Sequence, residues 1–156
     1  MNRFHYIGLD PGGETGYCIY DPFTREVSTS ILTADEHHNR LYTNLVVHRP
    51  KKIICERFDH RPNQKAAELV SREYIGVAKL YTQTHYGVEL VMQQQLKGHK
   101  GLWTDDKLKV LGLYNPGEGH DNDALRQVLY YITVEENDLY WVRKYQELAS
   151  EDEAPY

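Results

Sequence analysis

The chain has 156 residues and a formal net charge of −5. This length allows one domain with a sizeable hydrophobic core and excludes a two-domain architecture. No apolar stretch reaches the roughly 20 residues that a membrane-spanning helix needs, and the first residues lack a signal-peptide pattern, so we expect a cytoplasmic protein without membrane contact.

The negative charge is confined to the C-terminal part of the chain. Residues 135–156 hold seven acidic and two basic residues, which leaves the rest of the chain neutral. Within that neutral part, basic residues concentrate in residues 49–65 and again in residues 97–109. Taken alone, each basic run is as typical of a solvated surface as of a binding surface.

We expect one domain over residues 1–148 and an acidic, disordered tail over residues 149–156, because the tail has little apolar surface to bury. The two cysteines, Cys18 and Cys55, lie inside strand-like apolar runs. This placement indicates small buried side chains and not a disulfide or a zinc site.

The first half of the chain predicts four strands and one helix. Strands over residues 4–10, 15–20 and 26–32 are separated by short turns, and connections this short permit only antiparallel neighbours. A helix over 35–48 leads to a buried strand over 51–56. The crossover through that helix makes the fourth strand parallel to the first.

The second half alternates helices with one more strand. Apolar spacing predicts a long amphipathic helix over 63–86, followed by a strand over 88–92. A glycine-bearing loop over 98–101 precedes a helix over 104–113 that Thr104 caps, and a last well-formed helix starts near His120. The order predicts an α/β fold with a five-stranded mixed sheet, three antiparallel strands and then two parallel ones, flanked by helices.

Acidic residues close the first and fourth predicted strands. Asp10 and Glu56 should emerge at one edge of the sheet about 5 Å apart, where their repulsion favours a bound divalent cation. The start of the last helix supplies His120 and Asp123, which share a helix face because they are three positions apart. Carboxylates with one imidazole suit Mg²⁺ or Mn²⁺.

Each of these residues also has a purely structural interpretation. Asp121 or Asn122 can cap the helix, and Asp121 or Asp123 can serve the helix dipole. Glu56 can pair with Arg57 or another basic residue, and His120 can be an exposed loop residue. The meeting of acids from two strand ends and one helix start favours the metal-site hypothesis. Two ions about 4 Å apart would activate a water and stabilise the leaving oxygen in phosphodiester cleavage.

A family resemblance rests on three motifs: IGLDPGGETGY at residues 7–17, IICERF at 53–58 and HDNDAL at 120–125. They resemble those of the RuvC-type Holliday junction resolvases of the ribonuclease-H-like superfamily, especially the compact versions encoded by phages. The resemblance covers roughly residues 6–132. It implies a ribonuclease-H-like fold and a metal-binding catalytic set of Asp10, Glu56, His120 and Asp123, although many relatives have aspartate where this chain has His120.

The resemblance also implies contacts with DNA. Lys97 and Lys107 fall where family members place basic residues on the substrate phosphates, and Phe58 resembles an aromatic that stacks at the junction centre, although it can equally be a packing residue. The basic neighbours Arg57 and Lys100 complete the predicted DNA-binding set. The family further implies about two Mg²⁺ ions per site and a homodimer that nicks two strands of a four-way junction symmetrically.

The resulting prediction is a metal-dependent endodeoxyribonuclease that resolves four-way junctions. Two alternatives use the same features: another ribonuclease-H-like nuclease acting on flaps, forks or RNA hybrids, and a junction-binding protein without activity. Sugar-kinase-like or actin-like ATPases open with a similar strand and turn, but their architecture requires two domains and therefore more residues than this chain has.

Overall fold

The computed structural model describes residues 4–33, 37–57, 66–94, 97–117 and 119–152. Its sheet contains five strands: β1 (Tyr6–Asp10), β2 (Thr15–Tyr20), β3 (Val27–Leu32), β4 (Lys52–Glu56) and β5 (Glu89–Gln93). They lie in the order β3-β2-β1-β4-β5. The first three strands pair antiparallel, whereas β4 pairs parallel with both β1 and β5. The predicted α/β fold with a mixed sheet is confirmed.

The helices cover both faces of this sheet. They are α1 (His37–His48), α2 (Ala66–Thr84), α3 (Lys97–Leu102), α4 (Asp105–Val110), α5 (His120–Tyr130) and α6 (Tyr140–Asp152). A π-helical segment over Tyr131–Glu135 continues α5. Helices α1 and α2 pack on one face of the sheet and α5 on the other.

Strand alternation divides the core into two apolar clusters. Ile7 and Leu9 of β1 pack with α1 and α2, whereas Tyr6 packs on the side of α5. Because successive side chains point to opposite faces, Asp10 emerges on the α5 side of the sheet. Cys18 and Cys55 are both buried free thiols, as the sequence predicts.

The region after β5 differs from the prediction. The glycine-bearing loop expected over residues 98–101 is instead part of α3. The ring of His99 packs edge-on against Tyr130 with 4.2 Å between centroids, and His99 is only 4% exposed. Contact with α5 therefore outweighs the low helix propensity of the glycines, which is why the prediction of a loop was wrong.

The predicted helix over 104–113 is shorter in the structure, ending at Val110. Gly112 has a φ of 68°, a conformation that favours glycine. The Leu113 N–H donates to the Leu108 carbonyl and the Gly112 N–H donates to the Lys109 carbonyl. These two bonds close the helix with a Schellman motif. The hydroxyl of Thr104 accepts from the Lys107 N–H and caps the helix start as predicted.

The last helix, α6, continues to Asp152, whereas the sequence predicts a disordered tail from residue 149. The Ser150 hydroxyl donates to the Glu147 carbonyl within this helix. Residues 153–156 lie outside the described part of the chain, and the division into domain and tail stays a prediction. In the described ranges, no helix is both long and apolar enough to cross a membrane.

Candidate active site

Asp10 and Glu56 are neighbours because β1 and β4 pair in parallel. Leu9 lies opposite Cys55 in this ladder, so the next residue of each strand, Asp10 and Glu56, emerges at the same sheet edge. Both carboxyls lie on the α5 side, where the Asp10 side chain is only 13% exposed and Glu56 is half-buried. Two acids from distant parts of the sequence thus share one partly water-excluded space.

The environment raises the pKa of both carboxyls. Burial, reinforced by the adjacent charge of Asp10, raises the pKa of the Glu56 carboxyl to about 7. Burial also raises the pKa of Asp10, although its hydrogen bond with His120 acts in the opposite direction. Carboxyls with raised pKa values that face each other at the end of a sheet are typical of functional sites, where a cation or substrate completes the charge balance.

The N-terminus of α5 adds the other two predicted ligands. The His120 Nδ1 lies 3.0 Å from Oδ2 of Asp10. Asp123, one turn further along α5, is close enough for its charge to raise the pKa values of both Asp10 and Glu56. The structure therefore brings Asp10, Glu56, His120 and Asp123 to one edge of the sheet.

Two strand glycines allow α5 to lie directly on the sheet backbone. A Cβ atom added at Gly16 would be 1.8 Å from the carbonyl oxygen of His120, and one added at Gly8 would be 2.3 Å from that of Ala124. Only glycine permits such an approach. The close approach at these two residues was not predicted, although glycine inside a strand is itself a signal that another backbone element comes close.

The loop that follows Asp10 is anchored to α2. The Ser71 hydroxyl donates to the Pro11 carbonyl at 2.8 Å, and Ser71 is buried. This bond joins α2 to the turn between β1 and β2, so the end of β1 is supported from both faces of the sheet.

Two basic residues hold Asp123. Lys100 Nζ lies 2.8 Å from Oδ2 of Asp123, and Arg126 Nη1 lies 2.6 Å from its Oδ1. Arg126 is buried, donates to the Trp103 carbonyl at 2.7 Å and pairs with Asp105, so it joins α4 to α5. Arg126 was not predicted as a site residue, because its three-residue spacing from Asp123 alone does not show that its side chain is buried.

A groove of about 630 Å³ adjoins this edge of the site. Its lining includes Lys100, Lys109, Tyr114, Asp123 and Arg126. The Lys100 side chain is 68% exposed, and its charge also acts on Glu56, where it lowers the pKa. Lys100 thus lies between the acidic cluster and the open groove, within reach of an anion that approaches the carboxylates.

Two further predicted DNA contacts, Lys107 and Lys97, lie on α4 and α3. The Lys107 ammonium donates to the Leu102 carbonyl at 2.8 Å and lies over the Tyr145 ring, 5.6 Å from its centroid. This lysine therefore makes contacts within the protein. Lys97 is the first residue of α3, but its side chain lies outside what the structure describes.

The end of β4 carries the other two predicted contacts. Arg57 is exposed, and its backbone N–H donates to the Gln93 carbonyl at 2.6 Å. Phe58 lies outside the described residues. The DNA-binding roles of this segment therefore stay predictions.

Asp121 is turned away from the acidic cluster. It is 8% exposed and accepts hydrogen bonds from the Asn115 side chain at 3.0 Å and from the Asn122 N–H at 2.9 Å. These bonds join the loop before α5 to the helix start. Asp121 lies in the first turn of α5 but does not cap it as predicted, since the N-cap is Gly119 and no side chain bonds there.

Carboxylate oxygens and an imidazole nitrogen are donors that suit a hard divalent cation. Their positions in the structure, however, are not those of side chains that coordinate one ion. Among the described residues, no three His, Cys, Asp or Glu side chains are grouped closely enough to hold a metal ion. Both oxygens of Asp123 contact basic side chains instead. The chemistry fits, since the pKa values of Asp10 and Glu56 are raised in the way that an added cation would reverse.

The strand order and pairing, with helices on both faces, define a ribonuclease-H-like fold of the RuvC type. The structure is similar to that of "T. thermophilus RuvC in complex with Holliday junction substrate", with a TM-score of 0.61 and 16% identity over 82% of this chain and 94% of that one. A second similar structure is "Thermus thermophilus RuvC structure", with a TM-score of 0.58 and 17% identity over 85% and 97% of the two chains. No protein-family model and no curated protein matches the chain.

Proposed function

We propose that this protein is a divalent-cation-dependent endonuclease that resolves four-way DNA junctions by paired phosphodiester hydrolysis. The observation that carries the proposal is the pair Asp10 and Glu56, side by side at the ends of β1 and β4 with raised pKa values, beside His120. A similar structure is described with a Holliday junction substrate, which supports the choice of branched DNA.

The proposed cation ligands are Asp10, Glu56, His120 and Asp123. One or two Mg²⁺ ions, or Mn²⁺, would supply an activated water and offset charge on the leaving oxygen. The protein holds the carboxylates together. The pairing of β1 with β4 sets the spacing of Asp10 and Glu56, and the ring nitrogen of His120 orients the Asp10 carboxylate. Asp123 would offer its Oδ2 to a cation once Lys100 moved to a phosphate oxygen of the substrate, while Arg126 would keep its contact with Oδ1.

The DNA is proposed to lie along the groove beside Lys100, with Arg57, Lys97, Lys107 and Phe58 as further contacts. Lysine and arginine contacts to phosphates position a junction without reading its bases, so its shape and deformability determine selection. A homodimer would place two identical sites on a substrate that has approximate two-fold symmetry. The three sequence motifs suggest the compact type of this enzyme that phages encode.

The proposed function is tested by incubating the purified protein with Mg²⁺ and a synthetic four-way junction. The expected products are symmetric nicks in two strands of like polarity. A flap, a fork and an RNA–DNA hybrid of matched length separate the alternatives. Preferred cleavage of one of these substrates would replace junction resolution with another nuclease activity, and tight junction binding without any cleavage would leave only a binding function.

We predict that Lys100→Ala weakens junction binding at low salt. Because one phosphate contact is lost, the slope of the logarithm of affinity against the logarithm of salt concentration should fall by about one. Fluorescence anisotropy over a salt series measures both effects. Lys144→Ala removes the same charge from α6 and should leave the slope unchanged. An unaltered slope for Lys100→Ala would exclude a phosphate contact by this residue.

We also predict that cation affinity falls as the pH drops below 7. The pKa of the Glu56 carboxyl is raised to about 7, so below that pH the carboxyl is protonated and a cation must displace the proton. Mn²⁺ affinity measured by calorimetry should weaken by up to about tenfold per pH unit between pH 7 and pH 6. In Asp10→Asn the adjacent charge is absent, so this pH dependence should shift to lower pH.

A further inference from the structure

Gln93 occupies the strand end next to the proposed cation ligands. It lies opposite Glu56 in the parallel ladder between β4 and β5. Val91, two residues earlier, packs in the apolar cluster on the α5 side of the sheet, so alternation places the Gln93 side chain on that side too. Asp10, Glu56 and Gln93 therefore form a row across β1, β4 and β5.

The Gln93 carboxamide is buried without hydrogen bonds. The residue is 8% exposed, and neither its Nε2 nor its Oε1 has a partner in the described part of the protein. Native interiors rarely leave a buried polar group without a partner. The Gln93 carboxamide is therefore a buried donor, level with the Glu56 carboxyl, that no group among the described residues uses.

Other unpartnered atoms border the same region. His99 Nε2 and the Oε1 of Gln127 are also buried without a partner among the described residues. His99 is close enough to Asp123 for the carboxylate charge to act on its ring, and Gln127 lies one turn beyond Asp123 on α5. Unpartnered buried atoms thus occur on α3 and α5 as well as at Gln93.

We propose that Gln93 is a positioning residue for the cation site, whose Nε2–H donates to the Glu56 carboxylate in the cation-bound protein. This inference rests on the proposed function. A neutral amide supplies a donor without adding a third negative charge to the row, and a donor behind a ligating carboxylate fixes which oxygen faces the cation. The bond from the Arg57 N–H to the Gln93 carbonyl holds the backbone at this position.

Gln93→Met tests the proposal because methionine has a similar length and no polar atoms. Calorimetry with Mn²⁺ alone should show binding that is about 10- to 100-fold weaker than in the wild type. The melting temperature of the cation-free protein should be unchanged or higher, because an unsatisfied buried amide is removed. Gln94→Met, at the exposed neighbouring glutamine, should change neither quantity. A lower melting temperature with unchanged Mn²⁺ affinity would show a merely structural role and overturn the proposal.

A double-mutant cycle tests whether Gln93 acts through Glu56. In a Glu56→Gln background, Gln93→Met should cause no further loss of Mn²⁺ affinity, since residue 56 then has no carboxylate ligand for Gln93 to orient. A second, independent loss would mean that Gln93 contacts the cation itself, which contradicts the positioning role.

The wild-type measurements separate this inference from the proposed function. If the wild type binds Mn²⁺ and the cycle behaves as expected but no junction is nicked, the positioning role stands and the proposed function fails. If the wild type nicks junctions and Gln93→Met binds Mn²⁺ as tightly as it does, the inference alone fails. A wild type that binds no Mn²⁺ would overturn both.

Discussion

Asp10→Asn and Glu56→Gln are each expected to abolish Mg²⁺-dependent nicking of a four-way junction while leaving junction binding intact. Each amide keeps the shape of the side chain but removes the charge that attracts the cation. Cation catalysis lowers the activation barrier by several kcal/mol, so its loss should slow the reaction by about 10³-fold or more. Gel assays under single-turnover conditions measure the rate, and anisotropy in Ca²⁺ measures binding.

The stability of these variants distinguishes a lost ligand from a lost fold. Burial and the charge of Asp10 raise the pKa of Glu56 to about 7, so the two ionised carboxyls oppose each other in the cation-free protein. Replacing Asp10 with a neutral residue removes this electrostatic repulsion. The cation-free melting temperature of Asp10→Asn should therefore be equal to or above that of the wild type, although the enzyme is inactive.

Glu147→Gln is the matched control for this pair. Its side chain is exposed on α6 and is not among the residues that line the groove. This variant should nick junctions at the wild-type rate. Continued nicking by purified Asp10→Asn would refute the assignment of the site, whatever the behaviour of the control.

The sheet and its acidic edge could be predicted from local patterns. Short glycine-rich turns require antiparallel neighbours, a helical crossover requires a parallel strand, and together these rules place Asp10 beside Glu56. Each rule uses only residues near one another in sequence. This is why the strand directions were predictable, and why the predicted strand ends differ little from the observed ones.

Features that depend on tertiary contacts were not predictable in the same way. The glycines in α3 favour a loop, and only the packing of His99 on Tyr130 accounts for a helix there. The role of Gln93 depends on the register of β5 against β4, which the sequence does not specify. Likewise, Arg126 joins α4 to α5 through its contacts with Trp103 and Asp105, which lie more than twenty positions away in the sequence.

Gly16→Ala is expected to have the largest effect on stability, because it inserts a methyl group between β2 and α5. The added Cβ would lie 1.8 Å from the His120 carbonyl oxygen and 2.9 Å from the backbone nitrogen of Asp121. Backbone cannot rotate aside as a side chain can, so the start of α5 must move away from the sheet. We expect a loss of about 3 kcal/mol or more in the free energy of unfolding, measured by urea denaturation.

The same displacement should also reduce catalysis in the molecules that remain folded. Moving the start of α5 withdraws His120 from its 3.0 Å contact with Asp10 and carries Asp123 with it. Mn²⁺ affinity and junction nicking should both fall, even at a temperature where circular dichroism shows the variant to be folded. Gly13→Ala provides the control, since a Cβ there meets no atom within 4 Å and the residue lies in the same turn region. If Gly16→Ala were as stable and as active as Gly13→Ala, α5 could not rest on the backbone of β2, and the ligand geometry derived from that contact would be wrong.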